Sequence, residues 1–365
     1  MGAVQQCKKQ PRQSNLELMR IIAMLMIIAG HFCSQSGFAE GVSGTAGWLI
    51  ACMGAGARIA VNMFLVLGVW FMVDTEFKAI RIVKLYLQAW FLIVPITLLL
   101  VGLGYNISKI TIIKSIEPFF LGGGVWFVNT YIALIMLSPW LHKLLLLERK
   151  SLRCLLIVAS LITTVMFTVH AVGKAQDSWL DTVVWFAFIY LLIGYYKKYL
   201  SKEAKYNKWY MLLSGGLLYL IIVTVVYITS GSTTVMLGGI HHVMAKFLVD
   251  FKTLPNLLIA LSWCYFFLKL DIGTNKYINF FAAGALSVYV VHQTPAFYPI
   301  LWRDIYKTSS WVHNDNAVLH MLLVVISCYV VISCMDYIRR KIIEPIIINS
   351  RAIRYVENKI DDFYR

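Results

Sequence analysis

Ten stretches of this chain read as runs of about 20 mostly apolar residues, the length a helix needs to cross a hydrocarbon core ~30 Å thick. They fall near residues 17–36, 48–73, 82–103, 125–147, 152–172, 180–196, 209–229, 254–270, 277–299 and 317–338. Lipid offers no hydrogen bonds, so a run of this kind satisfies its own backbone only as a helix. The expectation is an all-α fold: a polytopic bundle of about ten transmembrane helices over 15–338. A tail of 1–14 precedes it and a tail of 339–365 follows, both on the cytoplasmic side. Composition agrees, because 59% of the residues are hydrophobic and only 14% are charged. Soluble domains sit nearer 45–50% and ~25%. No internal repeat, low-complexity tract or second soluble domain stands out.

The net charge of +15 invites a nucleic-acid reading, and its distribution rejects one. With the N-terminus placed inside, 25 lysines and arginines fall on inner segments. The outer loops hold seven: Lys109, Lys114, Lys174, Lys246, Lys252, Arg303 and Lys307. This is the positive-inside bias of a multi-pass protein of the cell membrane, with attraction to lipid headgroups as a by-product. The lipid bilayer is its surrounding partner. The first run has the basic leader and apolar stretch of a signal peptide, but no small-residue cleavage site follows. It is expected to be a retained helix.

Ionisable residues inside spans are expensive and mark function more often than packing. Arg20 and His31 are eleven residues apart, three turns and 20° on a helix, so they share one face about 16.5 Å apart along the axis. Glu17 lies one turn before Arg20. The plain readings are a snorkelling arginine and a hydrogen-bonded histidine; the shared face favours function. Arg81 and Lys84, at the inner start of the third span, are either anchoring cations or a pair able to hold phosphates. Arg58, in a glycine-rich stretch, belongs either to the outer mouth of the second span or to a polar cavity. Tyr289 and His292 are three apart in the ninth span and share a face, at a depth like that of His31.

The seven cysteines show neither CxxC spacing nor a zinc-like Cys/His cluster. Cys33 and Cys52 are the one pair placed to form a disulfide, and packed single thiols are the expected state. The adjacent His241 and His242 point in different directions on a helix, and no carboxylate accompanies them. No metal site is expected.

These residues resemble a known family. Arg20, ten residues and His31 look like the first-helix pattern of the acyltransferase-3 family of membrane acyltransferases. Arg81-Ile82-Val83-Lys84 resembles its third-helix arginine pair, with lysine in the second place. Arg58-Ile59-Ala60-Val61-Asn62-Met63-Phe64, followed by Gly68, is similar to its second-helix pattern. Gly124-Val125-Trp126-Phe127-Val128-Asn129-Thr130-Tyr131 resembles its Trp-Phe segment, and Ser287–His292 its late Tyr-x-x-His segment.

The resemblance implies a ten-helix enzyme that takes an acyl group, acetyl first and succinyl next, from cytosolic acyl-CoA. The acceptor would be a hydroxyl of a cell-envelope or lipid-linked polysaccharide. Some members carry an esterase-like domain after the helices, and none is expected in the 339–365 tail. In this reading acyl-CoA is a donor substrate and no cofactor is permanently bound. Arg20, Arg81 and Lys84 would hold its phosphates, with His31 as general base on the hydroxyl, or less favourably as an acyl carrier. Glu17 would orient Arg20. Arg58, Asn62, Trp126, Asn129, Tyr289 and His292 would meet the carbohydrate. The oligomeric state is left open, a homodimer being the association entertained. The rival from another class is a transporter or flippase for envelope glycans; neither inverted repeats nor paired broken helices support it. An inactive scaffold is a third reading.

Overall fold

The computed structural model describes residues 12–35, 37–119, 124–173, 179–230, 247–348 and 350–364. The Gly122-Gly123 and His241-His242 pairs and Cys7 lie outside them. The described residues are helical, with no strand among them. The principal helices are α1 Ser14–Gln35, α2 Gly44–Met72, α3 Ile80–Gly102, α4 Lys109–Ile116, α5 Trp126–Leu144, α6 Arg149–Gly173 and α7 Trp179–Tyr195. They continue as α8 Lys208–Ser230, α9 Leu254–Lys269, α10 Lys276–Ala282, α11 Ala285–His292, α12 Ala317–Ile348 and α13 Arg351–Tyr364.

Among the described residues, eight helices are long and apolar enough to cross a membrane, so two of the ten expected spans differ. The run at 125–147 is helix α5, 19 residues long, with Asn129 in its first turn, Pro139 inside it and His142 and Lys143 in its last turn. The run at 277–299 is not one helix. It breaks at Ala283-Gly284 and ends after His292. Gly284 sits where α12 crosses, and a Cβ there would lie 3.1 Å from Ser333 Oγ. Downstream, Pro295 disfavours helical geometry in the residue before it. The outcome is a short α11 whose residues Ser287–His292 are all buried, packed against α1, α3 and α12.

Helices sort by burial. Of the most apolar window of α1, 56% is buried, against 17% for α6 and for α8, so α1 is central while α6 and α8 show lipid-facing surfaces such as Leu161, Leu213 and Leu217. Helices α1 and α2 pack closely: at Gly30, an added Cβ would lie 2.3 Å from the Ala57 Cβ. Small residues allow such approach where packing rather than the hydrophobic effect drives helix association.

Segments assigned to the inner side share one face of the bundle. Ser14 Oγ donates to Asn279 Oδ1 at 3.0 Å and accepts from the Asn275 amide at 2.7 Å. Lys197 bonds the Trp70 carbonyl and the Asp74 carboxylate, and Lys198 donates to the Leu145 carbonyl at 2.7 Å. Arg149 pairs with Glu203 at 3.5 Å. At the opposite face Trp48 donates to Thr224 and Tyr227 to the Gly44 carbonyl, each at 3.0 Å. Within 339–365, α12 runs on to Ile348, and the Tyr364 ring of α13 contacts Phe77 at 4.1 Å and Trp140 at 5.5 Å. Cys33 and Cys52 are free thiols.

Candidate active site

A cavity of about 680 Å³ runs along the face of α1 that carries Arg20 and His31, and both residues line it. Helical arithmetic sets their separation; the packing of α2 opposite turns the shared face into a wall of enclosed space. Gly30 brings α2 so close that the segment holding His31 has one position against Ala57 and Gly54. At the basic end, Arg20 Nη1 donates to Glu17 Oε2 at 2.6 Å, and Glu17 is buried. That bond fixes the guanidinium and leaves its other N–H groups as donors.

Arg81 is half-buried and Lys84 exposed. Neither lines the cavity, which their neighbour Leu85 does. Of the three expected phosphate ligands Arg20 alone lines the cavity, and Tyr131 is in the same wall. Tyr131 was not expected as a site residue. Its room comes from Gly68, where a Cβ would meet the Tyr131 oxygen at 2.5 Å. Gly68 and Tyr131 each lie in a segment that carried the family resemblance, but no spacing rule says that they face one another.

Away from Arg20 the wall is aromatic. Trp126 lines it, with its ring 5.5 Å from Phe251. Arg58 also lines it, exposed and 3.8 Å from Asp250. Lys252 is a lining residue that sequence reasoning counted only as a loop charge. Nothing local distinguishes it; the fold turns it inward.

Three expected substrate contacts lie outside the lining. Asn62 is fully buried, donating to the Phe251 carbonyl at 2.7 Å and Asn256 Oδ1 at 3.1 Å, and accepting from Trp185 Nε1 at 3.0 Å. It is a junction of four segments, and through Phe251 it shapes the wall. Asn129 Nδ2 donates to the Phe119 carbonyl at 2.8 Å, tying α5 to the end of the preceding loop. His292 is completely buried, behind His31, with the two rings 5.3 Å apart. Tyr289 does line the cavity, and its hydroxyl accepts from the Phe127 amide at 3.3 Å. Gly124, at φ +80°, lets the start of α5 meet the turn after His292: a Cβ there would lie 2.6 Å from the Gln293 carbonyl.

Among the described residues no group of three or more His, Cys, Asp or Glu is placed to hold a metal. The cavity offers, from this chain, Arg20 toward one end, the His31 imidazole along α1, and Arg58 and Lys252 beside the aromatic rings of Trp126 and Phe251. A family model described as an acyltransferase domain matches residues 13–337, nearly the whole chain. No curated protein and no solved structure matches it.

Proposed function

Because the chain belongs to the acyltransferase-3 family and is a membrane acyltransferase, we propose that it moves an acyl group, acetyl first, from acyl-CoA to a polysaccharide hydroxyl. The observation that carries this reading is the single cavity lined by both Arg20 and His31. The basic end faces the cytoplasm of a cell whose plasma membrane holds the bundle. Arg20, Arg81 and Lys84 bind the phosphates of the donor there, Arg20 with its fork set by Glu17. The pantetheine arm lies along α1 and brings the thioester to His31. The acceptor is a hydroxyl of an envelope or lipid-linked glycan and enters from the aromatic end. It stacks on Trp126, where a flat ring suits the apolar face of a sugar, beside Arg58 and Tyr289.

His31 takes the hydroxyl proton as the oxygen attacks the thioester carbonyl. The tetrahedral intermediate collapses with cleavage of the C–S bond, and the CoA sulfur leaves with the proton that His31 returns. No charge is left in the cavity.

The test is incorporation of radiolabelled acetyl-CoA into polysaccharide by membranes with matched protein levels. His31→Ala should lower turnover at least ~100-fold, the lower range for a general base. Arg20→Ala should raise the KM for acetyl-CoA. Full activity in either variant overturns the assignment.

A further inference from the structure

His292 has a feature the reaction above does not use. Its Nδ1 lies 2.5 Å from the Val288 carbonyl oxygen one helical turn back. A carbonyl only accepts, so Nδ1 carries the hydrogen. In the neutral ring Nε2 is then a bare acceptor, and a neighbour's hydrogen bond is what sets a histidine tautomer. That Nε2 is buried and has no partner among the described residues. Orphaned buried polar atoms are rare and require an explanation. The rings in contact with His292 are those of His31, at 5.3 Å, and Tyr289, at 6.2 Å.

We propose that His292 is a positioning residue for His31, accepting through Nε2 a hydrogen bond that a bridging water relays from a His31 N–H. This rests on the assignment of His31 as base. A base needs one bare nitrogen toward the hydroxyl, and an acceptor behind it keeps the hydrogen on the far nitrogen. When His31 takes the hydroxyl proton, the same acceptor steadies the imidazolium until the proton passes to the CoA sulfur. His292 gains and loses no proton in the cycle. The surroundings suit a fixed ring. The α11 backbone carries Nδ1, Gly124 packs against the carbonyl of the next residue, and Tyr289 is held by the Phe127 amide at 3.3 Å.

The experiment compares three variants in the same acetyl-CoA incorporation assay, at matched protein levels. In His292→Gln the amide oxygen reaches the place of Nε2, whereas in His292→Asn the amide reaches only the place of Nδ1. The Gln variant should keep turnover within about tenfold of the parent, while the Asn and Ala variants fall ~100-fold with unchanged KM for acetyl-CoA, an effect the size of lost support behind a working histidine. Equal activity of the Asn and Gln variants, or a loss carried by KM alone, overturns the proposal. Should a variant fail to accumulate, 15N NMR of the histidine-labelled parent protein reads the tautomer directly. Hydrogen on Nδ1 with a bare Nε2 supports the proposal, and a bare Nδ1 overturns it. A parent protein that transfers no acetyl group removes the underlying reading instead, so the two failures are told apart.

Discussion

At the level of single residues, the same polar chemistry serves two purposes, and the pattern of partners tells which. Arg20 has one partner and remains on the cavity wall, whereas Asn62 has three and is enclosed. Asn62→Ala leaves the Trp185 N–H and the Phe251 carbonyl without their bonds. Unmade hydrogen bonds at buried groups cost ~1–3 kcal/mol, so the variant should melt earlier in detergent than the parent. Unchanged melting would remove Asn62 from the scaffold. Lys84 asks a finer question, since an ammonium is a point charge where the family resemblance expects a guanidinium fork. Lys84→Arg should lower the KM for acetyl-CoA several-fold while leaving turnover alone. A rise in KM would take position 84 out of the donor site.

Helix by helix, two glycines decide how close neighbours come. Gly30 governs the α1–α2 crossing beside His31, and its added methyl has Ala57 in the way. Overpacking of this kind costs typically 1–3 kcal/mol, so Gly30→Ala should lower both the melting temperature and turnover. Gly68 acts differently, because its obstacle is the tip of one side chain, Tyr131. Gly68→Ala should displace that ring in the cavity wall, raising the KM for acetyl-CoA with little change in thermal stability. A melting curve shifted as far as that of Gly30→Ala would show the contact to be structural. Helix α11 carries a different lesson. Its apolar run matched a spanning helix in length, yet close crossing at Gly284 and the turn before Pro295 cut it short.

For the molecule as a whole, the proposed reaction has a direction: the donor enters from the face where the basic loops gather and the acceptor from the aromatic mouth. Cysteine labelling from outside intact cells tests that direction. Lys109→Cys should react with a membrane-impermeant maleimide, and Lys150→Cys should react only after the cells are opened. The reverse pattern would turn the bundle over, placing the donor mouth outside. Parent thiols Cys154 and Cys334 are exposed on the protein surface, so both labelling variants belong in a background lacking them.

Much of this architecture is readable before any coordinates. Run length alone demands helices in lipid, and the lysine and arginine count assigns the loops to two sides, because charge is carried across a bilayer only at high cost. The common face of Arg20 and His31 follows from 3.6 residues per turn. What lies opposite that face does not follow, since helical period is a property of one helix and a cavity belongs to several. Only the tertiary structure could enclose Asn62, set Tyr131 against Gly68, turn Lys252 inward and bring His292 to His31, for each contact joins segments that no local rule relates.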